Sequence, residues 1–318
     1  MSETCQIRGK LAIKYDAANR IAETSTPPSG TLTMRATLYW GMPFALTIFL
    51  HAFGNSISLG WDDSTAAKKL SPNLYAFQNG LGFGTATEEA SFLKQNGYAG
   101  VCQVFDKGDE LTKRIVAYEE VNLRVGSVYL NVNDTPILED TVKPLANRDA
   151  IIELTVQKMS PKTVEAVRQT ASMAEKLNIR VALYPHHGNA IATMPQAIDL
   201  VQRVGHTNLG IMFNLCHFLK NEQPETMQAV LTQAAPHLFS ISTAGADKHG
   251  TSWGTLIQTL DRGNFLQAEL FGILKSLDYK GDVALQCYGV KGDKKRNLQT
   301  SMAAWKSILS TVNSGGIK

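Results

Sequence analysis

Three histidines in the second half of the chain are the residues whose type and spacing most clearly suggest chemistry. His186 and His187 end one apolar run, and His217 follows the next run along the chain. Imidazole exchanges protons near neutral pH without a special environment. We therefore predict that His186 and His217 are catalytic acid/base residues, with a purely structural role for either ring as the alternative.

A cysteine precedes the last of these histidines. The pair Cys216 and His217 would suit a thiol nucleophile with its base. Adjacent residues of a strand point to opposite faces, so we predict instead that this thiol packs outward. The four cysteines of the chain are scattered and form no CxxC pair, which argues against a disulfide scaffold.

Eight short runs rich in β-branched and aromatic residues alternate with stretches of helical period from residue 73 onward. The predicted strands are residues 74–79, 100–105, 124–132, 151–157, 180–186, 209–215, 238–243 and 282–288. The predicted helices include residues 87–96, 161–177, 194–204, 225–234, 265–277 and 297–312. Ser160 with Pro161 is typical of a helix start, and Gly97 of a helix end.

This alternation predicts the fold. Strands that alternate strictly with helices form a parallel sheet, and eight repeats imply closure into a single (β/α)8 barrel. The predicted barrel spans residues 72–318, close to the usual size of about 250 residues. An open doubly wound sheet is the alternative, because residues 80–84 read GLGFG. That run lacks the GxGxxG spacing of a dinucleotide site, so the sequence favours the barrel.

Polar side chains cluster where the predicted strands end, which is where such barrels build their chemistry. These positions are Asn79, Gln103, Asn131, Gln157, His186, Asn214, Ser242 and Gln286. Neutral amides and hydroxyls bind a polyol or sugar without demanding a charged ligand, although some of them could instead tie down loops. The predicted substrate-binding residues are Asn79, Gln157, Tyr184, Asn214, Ser242 and Gln286.

One carboxylate is predicted inside the barrel. Alternation groups Glu153, Thr155 and Gln157 on one strand face. Glu153 is then either a functional acid or a buried structural acid paired within the core. The sequence favours neither.

The first 60 residues are predicted to form an extension outside the barrel core. Met34 and Arg35 precede an apolar stretch at residues 42–53, which small and polar residues follow. This pattern resembles a secretory leader over residues 34–60 and is short for a stable membrane span of about 20 residues. We expect translation to start at Met34 and the protein to be exported, either to a periplasm or outside the cell. A buried helix in a cytoplasmic protein is the alternative.

Composition limits the classes of partner. Hydrophobic residues make up 44% of the 318 residues and charged residues 19%, which is usual for a folded globular protein. The net charge is +3, with no basic stripe, which argues against the phosphate binding of a nucleic-acid protein. We predict a small-molecule partner and no nucleic acid, and the oligomeric state stays open.

Several segments carry a family resemblance. ALYPHHG, LGIMFNLCHFL, STAGAD and SLDYKGDVALQCYG occur in this order. They resemble the second half of the xylose isomerase-like barrels, the sugar isomerase and sugar phosphate epimerase superfamily, within a similarity over roughly residues 73–305. The chain is most similar to a branch with secretory leaders and the same PH, NLCH and LQCYG segments. The resemblance implies a divalent metal, held by carboxylates and histidines, that organises a sugar while acids move a proton.

The chain departs from that metal site. The positions that correspond to its ligands hold Tyr184, Asn214, Gln286 and Ser242, and only His217 matches. A hard divalent cation prefers anionic oxygen ligands, so we expect the usual carboxylate site to be lost or rebuilt. A rebuilt site for zinc, manganese or a similar ion, with His186 and His217 as nitrogen ligands, stays open.

These observations lead to three hypotheses of function. The first is a sugar isomerase or epimerase that abstracts a proton next to a carbonyl, with His186 or His217 as acid/base. The second is a lyase or hydratase that uses the same enolisation on a keto-glycoside and expels its substituent. The third is a barrel that binds carbohydrate without catalysis.

Overall fold

The computed structural model describes residues 69–315. The predicted extension at residues 1–60, including the leader, lies outside the described residues. The described strands are β1 (Leu74–Phe77), β2 (Gly100–Cys102), β3 (Arg124–Val125), β4 (Ser127–Val132), β5 (Ile151–Val156), β6 (Arg180–Leu183), β7 (Leu209–Asn214), β8 (Leu238–Thr243) and β9 (Val283–Leu285). Each of the eight predicted strands contains at least one of them.

Helices lie between most consecutive strands. Those described are α1 (Ala86–Gln95), α2 (Gly108–Glu119), α3 (Glu139–Val142), α4 (Thr163–Lys176), α5 (Met194–Val204), α6 (Leu215–Asn221), α7 (Met227–Ala234), α8 (Trp253–Leu256), α9 (Gln267–Ser276) and α10 (Lys294–Asn313). α5 has the bounds that its apolar period predicts. Its N-cap Thr193 forms a capping box with Gln196, and the left-handed Gly205 ends it.

All strand pairs in the sheet are parallel. The strands follow the order β3-β2-β1-β9-β8-β7-β6-β5-β4, so the first and last strands of the chain are neighbours. Gly126 alone separates β3 from β4, and a bridge between Val104 and Val128 joins the two ends of the sheet. The sheet is therefore a nearly closed barrel with helices outside. The predicted (β/α)8 barrel is confirmed, and the open doubly wound alternative is wrong.

Two details differ from the sequence prediction. The strand predicted over residues 124–132 is divided at Gly126, where a Cβ atom would lie 3.1 Å from the Tyr75 ring. The chain passes the ring there and changes its partner from β2 to β5. The helix predicted from Pro161 begins at Thr163, because a turn precedes it in which Ser160 N donates to Thr163 Oγ1 at 2.8 Å.

The apolar core has two layers. The larger layer packs between the sheet and the helices and includes Leu154, Phe213 and Cys216. Cys216 packs in this outer layer, as predicted, but it lies in helix α6 and not on the strand whose alternation was the reason for the prediction. The smaller layer fills the barrel itself, with Tyr75, Phe77, Cys102, Ile151, Ala182, Tyr184, Met212 and Ala284.

A charged network lies at the N-terminal ends of the strands. The Arg124 guanidinium donates to Tyr75 Oη at 3.0 Å, to Asp149 at 3.0 Å and to Asp282 at 3.1 Å. Arg180 donates to Asp149 as well, at 3.2 Å. These side chains pack against the bottom of the barrel interior, so the cavity that could hold a substrate lies at the opposite, C-terminal end.

Candidate functional site

A concave cavity of about 360 Å³ opens at the C-terminal ends of the strands. This volume lies within the usual range for small-molecule sites. The cavity is lined by Asn79, Gln103, Phe105, Tyr129, Tyr184, His186, His217, Trp253, Ile257, Gln286 and Tyr288. Five of the residues predicted from the sequence are in this lining, namely Asn79, Tyr184, His186, His217 and Gln286.

Two of the lining side chains form a stacked histidine pair. The ring centroids of His186 and His217 are 4.1 Å apart, with an angle of 41° between the ring planes. His186 lies just after β6, and His217 lies in the first turn of α6, directly after β7. Because β6 and β7 are paired neighbours in the sheet, their ends bring the two imidazoles together.

The backbone of His187 fixes the tautomer of each ring. His186 Nδ1 lies 2.9 Å from the carbonyl oxygen of His187, which can only accept, so this nitrogen carries a hydrogen. His217 Nδ1 accepts from the backbone N–H of His187 at 3.2 Å, so in the neutral ring its hydrogen is on Nε2. Within residues 69–315, neither Nε2 has a hydrogen-bond partner. His186 Nε2 is thus free to accept and His217 Nε2 to donate.

Burial keeps both rings neutral. It lowers the pKa of His186 below its ordinary value of 6.5, although the bond to the His187 carbonyl opposes the effect. The pKa of His217 is lowered further, first by burial and then by the neighbouring histidines. A ring that is neutral at pH 7 with one nitrogen free is suited to act as a general base.

Tyr184 forms the floor beneath the pair. Its ring meets those of His186 and His217 edge-on, at centroid distances of 5.6 Å and 5.5 Å. Asn214 Nδ2 donates to Tyr184 Oη at 2.6 Å, and Asn214 Oδ1 accepts from the backbone of Cys216 at the start of α6. Asn214 therefore holds Tyr184 and caps α6, and it does not line the cavity as a residue that holds a sugar hydroxyl would.

Two other predicted substrate ligands are also outside the cavity lining. Gln157 is exposed, and its backbone N–H donates to Asn131 Oδ1 at 3.3 Å. Ser242 is fully buried within the barrel, and its hydroxyl has no partner among the described residues. Gln286 does line the cavity, where its Oε1 accepts from Tyr288 N at 3.0 Å.

The lining also includes residues absent from the predicted site. Gln103 stands at a strand end, a position that the sequence does identify, but its left-handed backbone (φ 51°) has no signal in the sequence. Its N–H donates to Ser127 Oγ at 2.8 Å. Phe105 and Tyr288 end predicted strands, but the structure places them in the loops after β2 and β9. Trp253 begins a four-residue helix, which is too short for a periodic pattern to show which way its side chain points.

Glu153 is buried inside the barrel, as the strand alternation predicts. Its Oε1 accepts from Ser127 Oγ at 2.6 Å, and its Oε2 has no partner among the described residues. Burial raises the pKa of this carboxyl to about 7, although the hydrogen bond from Ser127 and the nearby Gln103 amide oppose the shift. Glu153 is not in the cavity lining, so the contacts support a structural acid in the barrel interior.

The lining residues do not fit the carboxylate-bound metal that the resemblance implies. None of the described residues that line the cavity is Asp or Glu. Tyr184 Oη accepts from Asn214, and Gln286 Oε1 accepts a backbone N–H, so these oxygens are already engaged. His186 and His217 alone supply two nitrogens, whereas catalytic zinc sites use three protein ligands. No step of the proposed chemistry is therefore assigned to a metal.

A family model supports the resemblance. The model described as xylose isomerase-like TIM barrel matches residues 156–308. The second half of the barrel therefore matches the xylose isomerase-like TIM barrel model. Among curated proteins, none matches the chain significantly in sequence.

Solved structures share the fold of this xylose isomerase-like barrel at low identity. The 3-keto-D-glucoside 4-epimerase from E. coli is 16% identical over 74% of this chain and 100% of its own, with a TM-score of 0.58. An L-ribulose 3-epimerase is 13% identical over 78% and 97%, with a TM-score of 0.60. The probable 3-DHS dehydratase from Bacillus anthracis is 15% identical over 74% and 99%, with a TM-score of 0.58. At these identities the likeness shows the fold alone. No helix among residues 69–315 has the length and apolar character to cross a membrane.

Proposed function

We propose that this barrel is a sugar isomerase or epimerase that acts by proton abstraction next to a carbonyl group. One observation carries the proposal, the stacked pair of neutral histidines at the cavity wall. The backbone of His187 sets one ring to accept a proton and the other to donate one. Enolisation needs a base at the carbon and an acid at the carbonyl oxygen, a few ångströms apart.

The enolisation step balances with the two histidines alone. His186 Nε2 takes the proton from the carbon next to the carbonyl, and the electron pair of that bond forms the carbon–carbon double bond of an enol. The carbonyl oxygen takes the proton from His217 Nε2. To give the isomer, the former carbonyl carbon takes back a proton while the hydroxyl on the first carbon loses its proton and becomes the new carbonyl. To give the epimer, the first carbon takes a proton from water on its opposite face while the enol oxygen returns its proton to His217 Nε2 and the carbonyl forms again.

The remaining lining residues suit a neutral sugar. The amides of Asn79, Gln103 and Gln286 offer donors and acceptors to hydroxyl groups. No Lys or Arg is among the described residues of the lining, so nothing there would pair with a phosphate. An uncharged sugar also suits the exported location that we propose from the leader-like residues 34–60.

A lyase on a keto-glycoside is the second candidate function, and the closeness of the two rings favours it. With centroids 4.1 Å apart, both histidines lie on one side of the substrate, so His217 could protonate a departing oxygen next to the carbanion. Epimerisation, by contrast, needs a proton on the opposite face. One solved structure with this fold is a probable 3-DHS dehydratase, and dehydration is an elimination.

The test follows solvent deuterium into substrate. A 3-keto-glucoside is incubated with the protein in D2O and examined by NMR for the wild type, His186→Gln and the control His249→Gln, which replaces an exposed histidine outside the lining. Deuterium next to the carbonyl with the sugar intact supports an isomerase or epimerase, and deuterium with loss of the substituent supports the lyase. Affinity without deuterium in the wild type would mean a carbohydrate-binding barrel and would overturn the proposal.

His186 carries this test because His217 is also a packing residue. His217 is 6% exposed and contacts the rings of Tyr184, His186 and Trp253. Its replacement is expected to lower stability as well as rate, so that rate loss alone would be ambiguous. Loss of a general base typically lowers the rate by about 100 to 10,000-fold, and we expect this for His186→Gln. His186 is less buried than His217, so its replacement should lower the melting temperature less than a replacement of His217 does.

A further inference from the structure

The exposed aromatic side chains of the described residues are concentrated at the mouth of the cavity. Within residues 69–315, seven large apolar side chains are exposed, and three of these are aromatic, namely Phe105 (45%), Trp253 (39%) and Tyr288 (54%). All three line the cavity. Exposed apolar groups that converge on one concave site mark a binding surface, whereas scattered ones need no explanation.

The outer rings are continuous with the histidine pair. Phe105 packs on Tyr129 at a centroid distance of 5.2 Å, and Tyr129 lies 6.5 Å from His186. On the other side of the pair, Trp253 meets His217 edge-on at 5.3 Å. An arc of rings therefore leads from one edge of the mouth, past the proposed acid and base, to the other edge.

Two of the outer aromatics are held in place by their neighbours. The backbone N–H of Phe105 donates to Gln78 Oε1 at 2.8 Å. The ammonium of Lys220 lies 5.7 Å from the centre of the Trp253 ring and donates to a backbone carbonyl, that of Thr251. Side chains that are positioned before the ligand arrives lose less freedom on binding, so they favour affinity.

The arc is larger and more apolar than a single sugar needs. Amide groups at the base of the cavity suffice for the hydroxyls of one ring, and exposed aromatic faces add nothing for these hydroxyls. A flat apolar face, such as an aryl group or the C–H face of a second sugar ring, gains from stacking on aromatic side chains. None of the described lining residues is Lys, Arg, Asp or Glu, so a charged substituent would gain no ion pair from the lining.

We propose that the substrate is a neutral keto-glycoside, and that Phe105, Trp253 and Tyr288 bind the substituent on its anomeric oxygen through a flat apolar face. This inference rests on the proposed function for the sugar-binding part of the cavity. It goes further in naming a second subsite, its residues and the class of substituent. A free monosaccharide or a sugar phosphate would leave the subsite empty.

The experiment measures binding, which needs no turnover. Isothermal titration of the full chain compares four probes, namely phenyl β-D-glucopyranoside, cellobiose, methyl β-D-glucopyranoside and glucose 6-phosphate. We expect phenyl glucoside or cellobiose to bind about tenfold more tightly than methyl glucoside, and the better of the two identifies the substituent. Equal affinity for these three, or tighter binding of glucose 6-phosphate, would overturn the inference.

Three variants test which side chains cause the tighter binding of phenyl glucoside or cellobiose relative to methyl glucoside. Trp253→Leu and Tyr288→Leu keep apolar bulk but remove the flat ring, and both are expected to reduce the preference over methyl glucoside to less than about threefold. Leu138→Ala removes an exposed apolar side chain that is not in the cavity lining and is expected to leave the preference unchanged. A preference that survives both ring replacements would contradict the subsite. Melting temperatures show that each variant is folded.

The two proposals fail separately. If no keto-sugar exchanges deuterium but the ring replacements abolish the preference for phenyl glucoside, the enzyme hypothesis fails and the subsite stands. If exchange occurs but all four probes bind alike, the enzyme hypothesis stands and the subsite is wrong.

Discussion

Replacement of Glu153 by Gln is expected to change how the stability of the barrel depends on pH. Burial raises the pKa of this carboxyl from 4.5 to about 7. In the unfolded chain the group ionises near pH 4.5, whereas in the folded barrel it stays protonated until about pH 7. The folded state therefore binds more protons in this interval, so the stabilising contribution is complete below pH 4.5 and is lost as the pH rises through 7.

The size of the effect follows from the shift. A shift of about 2.5 pH units at 1.36 kcal/mol per unit corresponds to about 3 kcal/mol. The Glu153→Gln variant has no such ionisation, and its amide oxygen can still accept from Ser127 Oγ. Between pH 4.5 and pH 8 the wild type should thus lose about 3 kcal/mol of stability relative to the variant.

Urea unfolding at pH 4.5, 5.5, 6.5, 7.5 and 8 measures this difference for the two proteins in parallel. The comparison cancels other groups, such as the histidines, that also titrate in this interval. Glu175→Gln, which replaces an exposed carboxyl on α4, is the control for loss of a charge at the surface. Free-energy curves for wild type and Glu153→Gln that run parallel over the whole interval would refute the reasoning.

Three further predictions follow from other contacts. Burial lowers the pKa of His186 below 6.5, so the rate of solvent deuterium incorporation into the keto-sugar should rise with pH and reach half its plateau below pH 6.5. A midpoint above pH 6.5 would contradict the role of His186 as a neutral base. Gly97 and Gly263 both have a left-handed backbone (φ 82° and 85°), which an alanine at either position would strain. Only at Gly263 would the added Cβ atom also overlap a neighbour, namely the backbone of Ala246. Thermal and urea unfolding should show a loss of about 1 kcal/mol for Gly97→Ala and at least twice that for Gly263→Ala, and equal losses would refute the overlap. A chain that begins near Trp61 should keep the cooperative unfolding transition of the full chain, and loss of that transition would show that the preceding residues support the barrel.

The barrel could be predicted because its pattern is local. Each strand is a short apolar run between helical periods, and eight such repeats admit few other parallel arrangements. The same pattern placed His186, His217 and Gln286 at strand ends, which the fold brings to one cavity. Strand position was thus enough to predict these three residues of the lining.

Other parts of the site depend on tertiary contacts, which the alternation of strands and helices in the sequence does not predict. Asn214 stands at a strand end, but its amide caps α6 and holds Tyr184, because a helix start competes for the same oxygen. Ser242 lies at the end of β8 but is fully buried in the barrel. Trp253 comes from a short helix after β8, where periodicity carries no information about direction.

The central claim is that the neutral histidine pair moves the proton without the carboxylate-bound metal that the family resemblance implies. The most direct test is the rate of solvent deuterium incorporation into a 3-keto-glucoside by protein treated with EDTA, measured with and without added Mn²⁺ or Zn²⁺. We predict that the treated wild type exchanges at its full rate, that added metal leaves this rate unchanged, and that His186→Gln lowers it by about 100-fold or more. Exchange that appears only after metal is added, or that persists in His186→Gln, would contradict the account.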